Sequence, residues 1–202
     1  MKKIFQGILI LFCVGLYDFS FAQQITKSEL IYLTREWKGE RFEDGRPKVS
    51  DELLDRMQLV THDEAWAVMK NEGYFYQYAD SWQIINPDSI LIGRALTATF
   101  MPARPDVHNA IDDRGKAEGK KGQNSWPVDL LVMRDVYVAD QFGIQINGPT
   151  IGDNVGNAIY AKSGNGIIYD GAIRDISGLK EIGGFTSYFG SYHQITTINP
   201  EI

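Results

Sequence analysis

Ile151–Asp175, IGDNVGNAIYAKSGNGIIYDGAIRD, carries in order a helix, a turn, a strand and a charged strand end. Gly152-Asp153 opens the helix, where Val155, Ala158, Ile159 and Lys162 fall at i, i+3, i+4 and i+7, an apolar face ending on a lysine stem. Ser163–Gly166 supplies the turn and Ile167-Ile168-Tyr169 the apolar strand, which runs into Asp170-Gly171-Ala172-Ile173-Arg174-Asp175. The first backbone N–H groups of a helix have no internal partner, so that end is suited to an anion. Open α/β sheets place ligands at the carboxyl ends of their strands, and here the strand delivers Arg174 and Asp175 side by side. On this reading, helix start, guanidinium and carboxylate converge on one small acidic substrate and one metal ion. Spacing alone favours a plainer arrangement, since caps and surface ion pairs are common: Asp153 as a helix cap, and Arg174–Asp175 as a solvated pair starting the next helix.

The flanking sequence continues the alternation. Before the central helix, Asp135–Asp140 (DVYVAD) reads as a strand with Val136 and Val138 on one face, and 141–151 is turn-rich, with Gly143, Gly148 and Pro149. Trp126–Met133 is a short helix with Pro127 at its first position; Asp106–Glu118 has helix-like content, and Lys116–Asn124 is a charged loop. Ile90–Phe100 is a strand in which Gly93 marks a bulge or a close backbone approach. After Asp175 come a short helix to Ile182, the pair Gly183-Gly184 and a strand Phe185–Phe189. Strands alternating with helices imply an α/β fold with a largely parallel sheet.

Nearer the amino terminus, Ser50 caps a helix Asp51–Leu59. Thr61-His62-Asp63-Glu64 fits a capping box that opens a second helix, stopped by Gly73. In it Trp66 and Met69 read as core and His62 as exposed. Tyr74–Trp82 has no clear period and suits a loop or an edge strand.

The chain of 202 residues suits one sizeable domain, and its formal charge of -6 argues against a nucleic-acid-binding surface. The basic cluster, Lys116, Lys120 and Lys121, is small. Lys2-Lys3, the mostly apolar run Ile4–Leu16 and Ser20-Phe21-Ala22 form a signal peptide pattern over residues 1–22, with cleavage after Ala22. The run is too short and interrupted to span a bilayer, so the product is expected to be periplasmic or secreted, with no membrane span in the mature chain. Losing Lys2, Lys3 and Asp18 removes a net +1 and leaves -7. The single cysteine, Cys13, lies in that leader, so the mature chain has no thiol ligand. Residues 23–49, with a turn at Asp44-Gly45-Arg46-Pro47, form an arm, and 50–202 the domain proper.

From about Leu91 to Phe189 the chain resembles the RraA family, named for a regulator of ribonuclease activity and also containing class II pyruvate aldolases. The resemblance is carried by the strand Val136–Asp140, by Gly152-Asp153 opening a helix, and by Asp170-Gly-Ala-Ile-Arg-Asp175, with Arg174 lying 22 residues after Gly152. It implies a swivelling β/β/α-type domain with a largely parallel central sheet, assembled as a homo-trimer or hexamer. It further implies a class II aldolase or decarboxylase that cleaves 4-hydroxy-4-methyl-2-oxoglutarate or oxaloacetate and releases pyruvate through an enolate. By the same resemblance Asp175 matches the direct ligand to magnesium or manganese, and Arg174 the substrate-binding arginine. Gly152, Asp153, Asn154 and Val155 match the segment whose amides hold the pyruvyl carboxylate, and Asp153 an acidic residue contacting water on the metal. Family members usually carry two leucines where this chain has Asn154 and Val155, a change that spares backbone donation.

Elementary chemistry agrees with these expectations. Cleaving a carbon–carbon bond beside a 2-oxoacid leaves an enolate, and a hard divalent cation is an effective electron sink for it. Magnesium accepts a single direct carboxylate and keeps several waters. Two departures bear on function: typical relatives continue beyond the point matching Ile202, which implies a sheet incomplete at the C-terminus, and the leader directs the product away from cytoplasmic ribonuclease E. An alternative expectation is therefore a non-catalytic RraA-like binding or regulatory protein, inactive through truncation. A third is a metal-assisted lyase or hydrolase acting on a sugar acid.

Overall fold

From Arg94 to Tyr192 one unit recurs, a strand followed by a helical crossover to a parallel neighbour. The computed structural model describes residues 25–76, 79–102, 104–142 and 150–192. The signal peptide pattern at 1–22 lies outside these residues, as do 143–149 and the chain beyond 192. The chain divides into two compact units, Met1–Lys48 and Val49–Ile202.

The described part of the first unit is held by local hydrogen bonds. Helix α1, Lys27–Leu33, is capped by Thr26, whose side chain accepts from the Glu29 amide. Arg41 donates to Thr34 Oγ1 at 2.7 Å and to the Gly45 carbonyl at 2.8 Å, closing the expected turn, where Gly45 takes a φ of 97°.

In the second unit, α2 is Asp51–Met57, capped by Ser50, and α3 is His62–Asn71, with the full Thr61–Glu64 capping box and Gly73 at φ 88° beyond it. The expectation that Trp66 and Met69 are core residues is overturned: they are 43% and 38% exposed, and α3 buries none of its residues. The helix is supported by its cap and by Lys70, whose ammonium sits 5.3 Å from the centre of the Trp66 ring.

Five strands follow: β1 Gln83–Ile85, β2 Arg94–Thr99, β3 Asp135–Asp140, β4 Ile167–Ile173 and β5 Ser187–Tyr192. Their order is β1-β5-β4-β3-β2, with β2 to β5 mutually parallel and β1 antiparallel on the β5 edge. Parallel neighbours cannot be joined by a hairpin, so helices bridge them. Helices α4 Pro105–Ala117 and α5 Trp126–Asp129 lie between β2 and β3, α6 Asp153–Ser163 between β3 and β4, and α7 Ile176–Glu181 between β4 and β5.

Several expected boundaries move. Helix α5 ends at Asp129 instead of Met133, β2 starts at Arg94 instead of Ile90, and β5 runs Ser187–Tyr192 instead of Phe185–Phe189. Strand β4 continues through Asp170–Ile173 by way of a bulge between Tyr169 and Ala172. On α6 the buried residues are Gly156, Ile159 and Ser163, and Ala158 is exposed. The stripe turns because α7 comes close: a Cβ on Gly156 would lie 2.3 Å from Leu179 Cδ2. Val136 is buried and Val138 half-buried, while Tyr137 on the other face is fully buried, as suits a central strand covered on both sides.

The core gathers Ile151, Ile159, Ile167, Tyr169, Ile173, Leu179, Phe185 and Phe189 around the middle of the sheet. At the amino ends of the strands, Arg94 contacts buried Asp135 at 3.3 Å, Asp51 at 2.9 Å and the Val49 carbonyl at 2.9 Å, fixing α2 to the sheet. Gly93 is a close approach, since a Cβ there would sit 2.4 Å from the Arg134 carbonyl oxygen.

Candidate functional site

The segment before α6 pairs with the end of β4. Ile151 and Ile173 form a parallel bridge, and the Arg174 amide donates to the Ile151 carbonyl at 3.0 Å. This bridge brings Gly152 alongside Arg174 and Asp175, although 22 residues separate Gly152 from Arg174 in sequence. Contact is close: a Cβ on Gly152 would lie 2.4 Å from Asp175 Oδ2 and 3.0 Å from Arg174 Nε.

Gly152 is the N-cap of α6 in an extended conformation, and no side chain among the described residues caps the helix. The Gly156 amide closes the first turn on the Gly152 carbonyl at 2.8 Å. Of the three amides before it, that of Asn154 donates to Asp153 Oδ1 at 2.6 Å, while those of Asp153 and Val155 have no acceptor among the described residues. Asn154 is exposed, with Asp153 and Val155 half-buried beside it.

Arg174 and Asp175 are each about half exposed, with Nε 3.4 Å from Oδ2. An ion pair this exposed contributes little to stability, so its members remain open to a ligand. Asp175 takes the left-handed conformation (φ 55°, ψ 42°), and this single residue turns the chain from β4 into α7. Few residues other than glycine occupy that region, and aspartate is among those that tolerate it. Gly178, in the first turn of α7, accommodates Asp153: a Cβ there would lie 2.8 Å from Asp153 Cβ and 3.0 Å from its Oδ2. The helix start, Arg174, Asp175 and Asp153 thus occupy one neighbourhood at the carboxyl end of β4.

No three His, Cys, Asp or Glu side chains cluster among the described residues. A hard cation that keeps most of its own water needs no more than one direct carboxylate, and Asp175 could supply it. The donor set does not suit a centre needing three protein ligands.

Gly152 supplies a direct test of this packing. Its φ of -134° suits any residue, so Gly152→Ala is expected to leave the backbone in place and to displace the Asp175 carboxylate and Arg174 side chain with its methyl group. The expected result is a loss of ligand affinity or turnover of at least about tenfold with the melting temperature within a few degrees of wild type, the usual range for substitutions that spare core and backbone.

Sequence reading did not point to what lies beneath. Tyr169, fully buried in β4, donates its hydroxyl to Gln141 Oε1, and its oxygen is met by Thr150. Burial pushes the Tyr169 phenol above its ordinary value, so it stays protonated through the neutral range. The signal was a tyrosine following two isoleucines at an inward strand position, which by itself reads as core.

An open, mostly parallel α/β sheet with a helix start, an arginine and a carboxylate gathered at one strand end is the frame of this site. The RraA-like family model (Aldolase/RraA) matches residues 47–197, and the chain belongs to that family. Among solved structures it is similar to Streptomyces coelicolor RraAS2, described as an unusual member of the RNase ES inhibitor RraA protein family, at 23% identity and a TM-score of 0.57, over 72% of this chain and 66% of that one. It is also similar to a structure described as novel cellulases from microbes associated with the gut ecosystem (16% identity, TM-score 0.57, 82% of this chain and 68% of that one). A third is a protein from Pseudomonas syringae pv. tomato (14% identity, TM-score 0.50, 77% and 62%). At these identities the likeness is one of fold. The chain spans about two thirds of the length of these solved structures. No curated protein sequence matches it significantly.

Proposed function

We propose that this protein is a divalent-metal-dependent carbon–carbon lyase acting on small 2-oxoacids of the 4-hydroxy-4-methyl-2-oxoglutarate or oxaloacetate type, with release of pyruvate. The observation that supports it most is the apposition of Gly152 to Arg174 and Asp175, which puts a helix start, a guanidinium and a carboxylate within reach of one small ligand. The amides of Asp153 and Val155 bind the substrate carboxylate, helped by the positive end of α6. Asn154 belongs to the same segment and contributes its backbone once Asp153 turns away from its amide. Arg174 donates to the oxygen that gains charge as the bond breaks. Asp175 holds magnesium or manganese, which when bound supplies the positive charge that draws electrons from the breaking bond. On a 4-hydroxy substrate Asp153 accepts, directly or through water, the proton that leaves the hydroxyl; oxaloacetate, which loses carbon dioxide, has no such proton.

The assembly that accompanies this reading is a homo-trimer or hexamer, and the location a periplasmic or secreted one. Among the described residues no helix is long and apolar enough to cross a membrane.

Pyruvate release from oxaloacetate, measured with magnesium, with EDTA and with Asp175→Ala, tests the proposal. Release is expected with magnesium alone, at least about 10²-fold above the other two conditions, on the scale of a lost charge-stabilising group. Equal rates in all three would remove the lyase reading. Metal or 2-oxoacid binding without turnover would favour the binding-protein alternative, in keeping with the inhibitor family named for the Streptomyces structure.

A further inference from the structure

Beneath the site Thr150, Tyr169 and Gln141 form a chain of side-chain hydrogen bonds. Thr150 lies two residues before Gly152, Tyr169 four residues before Ile173 in β4, and Gln141 directly after β3. Thr150 Oγ1 meets the Tyr169 hydroxyl, and that hydroxyl donates to Gln141 Oε1. Gly171, at the β4 bulge, makes room for Gln141, since a Cβ there would sit 3.0 Å from both Gln141 Cβ and Oε1. One phenol therefore joins β4 and the residue after β3 to the segment that carries Gly152.

That segment is otherwise anchored by Ile151, buried in the core, and by a handful of backbone ties. Its described backbone ties include the Arg174 amide to the Ile151 carbonyl at 3.0 Å, the Gly156 amide to Gly152 at 2.8 Å, Asn157 Nδ2 to the Asp153 carbonyl at 2.9 Å, and Asn124 Nδ2 to the Thr150 carbonyl at a long 3.5 Å. A comparison group lies close by. Tyr137 is equally buried on β3, and its hydroxyl has no hydrogen-bond partner among the described residues. The two tyrosines share a sheet face and differ in one respect: the Tyr169 hydroxyl is bonded to the site segment and that of Tyr137 is not.

We propose that Tyr169, acting through Thr150, is a positioning residue that holds the Gly152–Val155 turn against Arg174 and Asp175. It touches neither substrate nor metal, and its effect on activity rests on the lyase reading above. Losing the brace leaves β4 intact and lets the 150–155 segment lift away. Because the amides there grip the substrate carboxylate in both ground and transition states, the cost falls on KM more than on kcat.

Amide hydrogen exchange and steady-state kinetics on Tyr169→Phe, with Tyr137→Phe as its matched control, test the proposal. In Tyr169→Phe the Arg174 and Gly156 amides are expected to exchange at least about tenfold faster, while the Phe100 amide, bonded to Asp140 across β2 and β3 at 2.8 Å, keeps its rate. Tyr137→Phe is expected to change none of the three. Thr150→Val should reproduce the Tyr169→Phe pattern, and Thr150→Ser, which keeps the hydroxyl, should restore wild-type exchange. On oxaloacetate with magnesium, Tyr169→Phe should raise KM about tenfold with kcat within about threefold. Unchanged exchange at Arg174 in both Tyr169→Phe and Thr150→Val would overturn the proposal, as would an equal acceleration at Phe100. If the wild-type protein turns over no 2-oxoacid, the lyase reading fails alone, and the exchange rates still decide the brace.

Discussion

Arg174→Met is expected to lower kcat/KM for oxaloacetate in the presence of magnesium by about 10²–10³-fold, the effect of removing one preorganised donor to developing charge. The fold should survive. The side chain is 45% exposed, its pair with Asp175 is a surface one, and the backbone bond from the Arg174 amide to Ile151 does not depend on the guanidinium. Arg174→Lys should fall between wild type and methionine, because an ammonium restores charge without the planar fork. The distribution of the loss is informative. A fall in kcat places the guanidinium on the oxygen that becomes the enolate, whereas a rise in KM alone places it on the ground-state carboxylate. Steady-state kinetics of the three proteins with matched melting curves would decide, and rates equal to wild type in both variants would remove Arg174 from the reaction.

The largest effect on stability is expected from Gly166→Ala. Gly166 precedes β4, where the Ile167 amide donates to the Thr186 carbonyl at 3.0 Å, and a Cβ on Gly166 would fall 1.6 Å from that carbonyl oxygen. The obstacle is backbone, so no side-chain rotation relieves it. The methyl group must push β5 away from β4 at the start of their pairing, where Ile167 lies opposite Ser187. A loss of about 4 kcal/mol or more is expected, at the upper end of single-substitution effects. Gly183→Ala is the control, since nothing lies within 4 Å of a Cβ there. Urea unfolding of both variants checks the contrast, and a midpoint for Gly166→Ala equal to that of Gly183→Ala would show that the strands yield at no cost.

Much of the architecture was legible in the sequence because its determinants are local. Ser50 and the Thr61–Glu64 box announce helix starts through groups within three residues of each other. The strand Asp135–Asp140 was recovered at its full length, and the alternation of strands and helices led to a mostly parallel sheet. Gly93 was recognisable as a close approach, although only the fold shows that the neighbour is Arg134. Trp66 and Met69 were misread because apolar character was taken for burial, and α3 presents them to solvent. The face of α6 was misassigned because period alone does not show where a second helix will press on a glycine.

The candidate site divides along the same line. By itself, the sequence determined that an anion-ready helix start and an Arg-Asp pair exist in this chain, since each rests on neighbouring residues and the end effects of one element. Their convergence was an expectation; only the tertiary structure decided through which contacts they meet. The Ile151–Ile173 bridge sets Gly152 against Arg174 and Asp175, Gly178 makes room for Asp153, and Thr150, Tyr169 and Gln141 join beneath them. Those contacts depend on how a crossover returns to the sheet, and so on packing among residues distant in sequence, which no local pattern encodes.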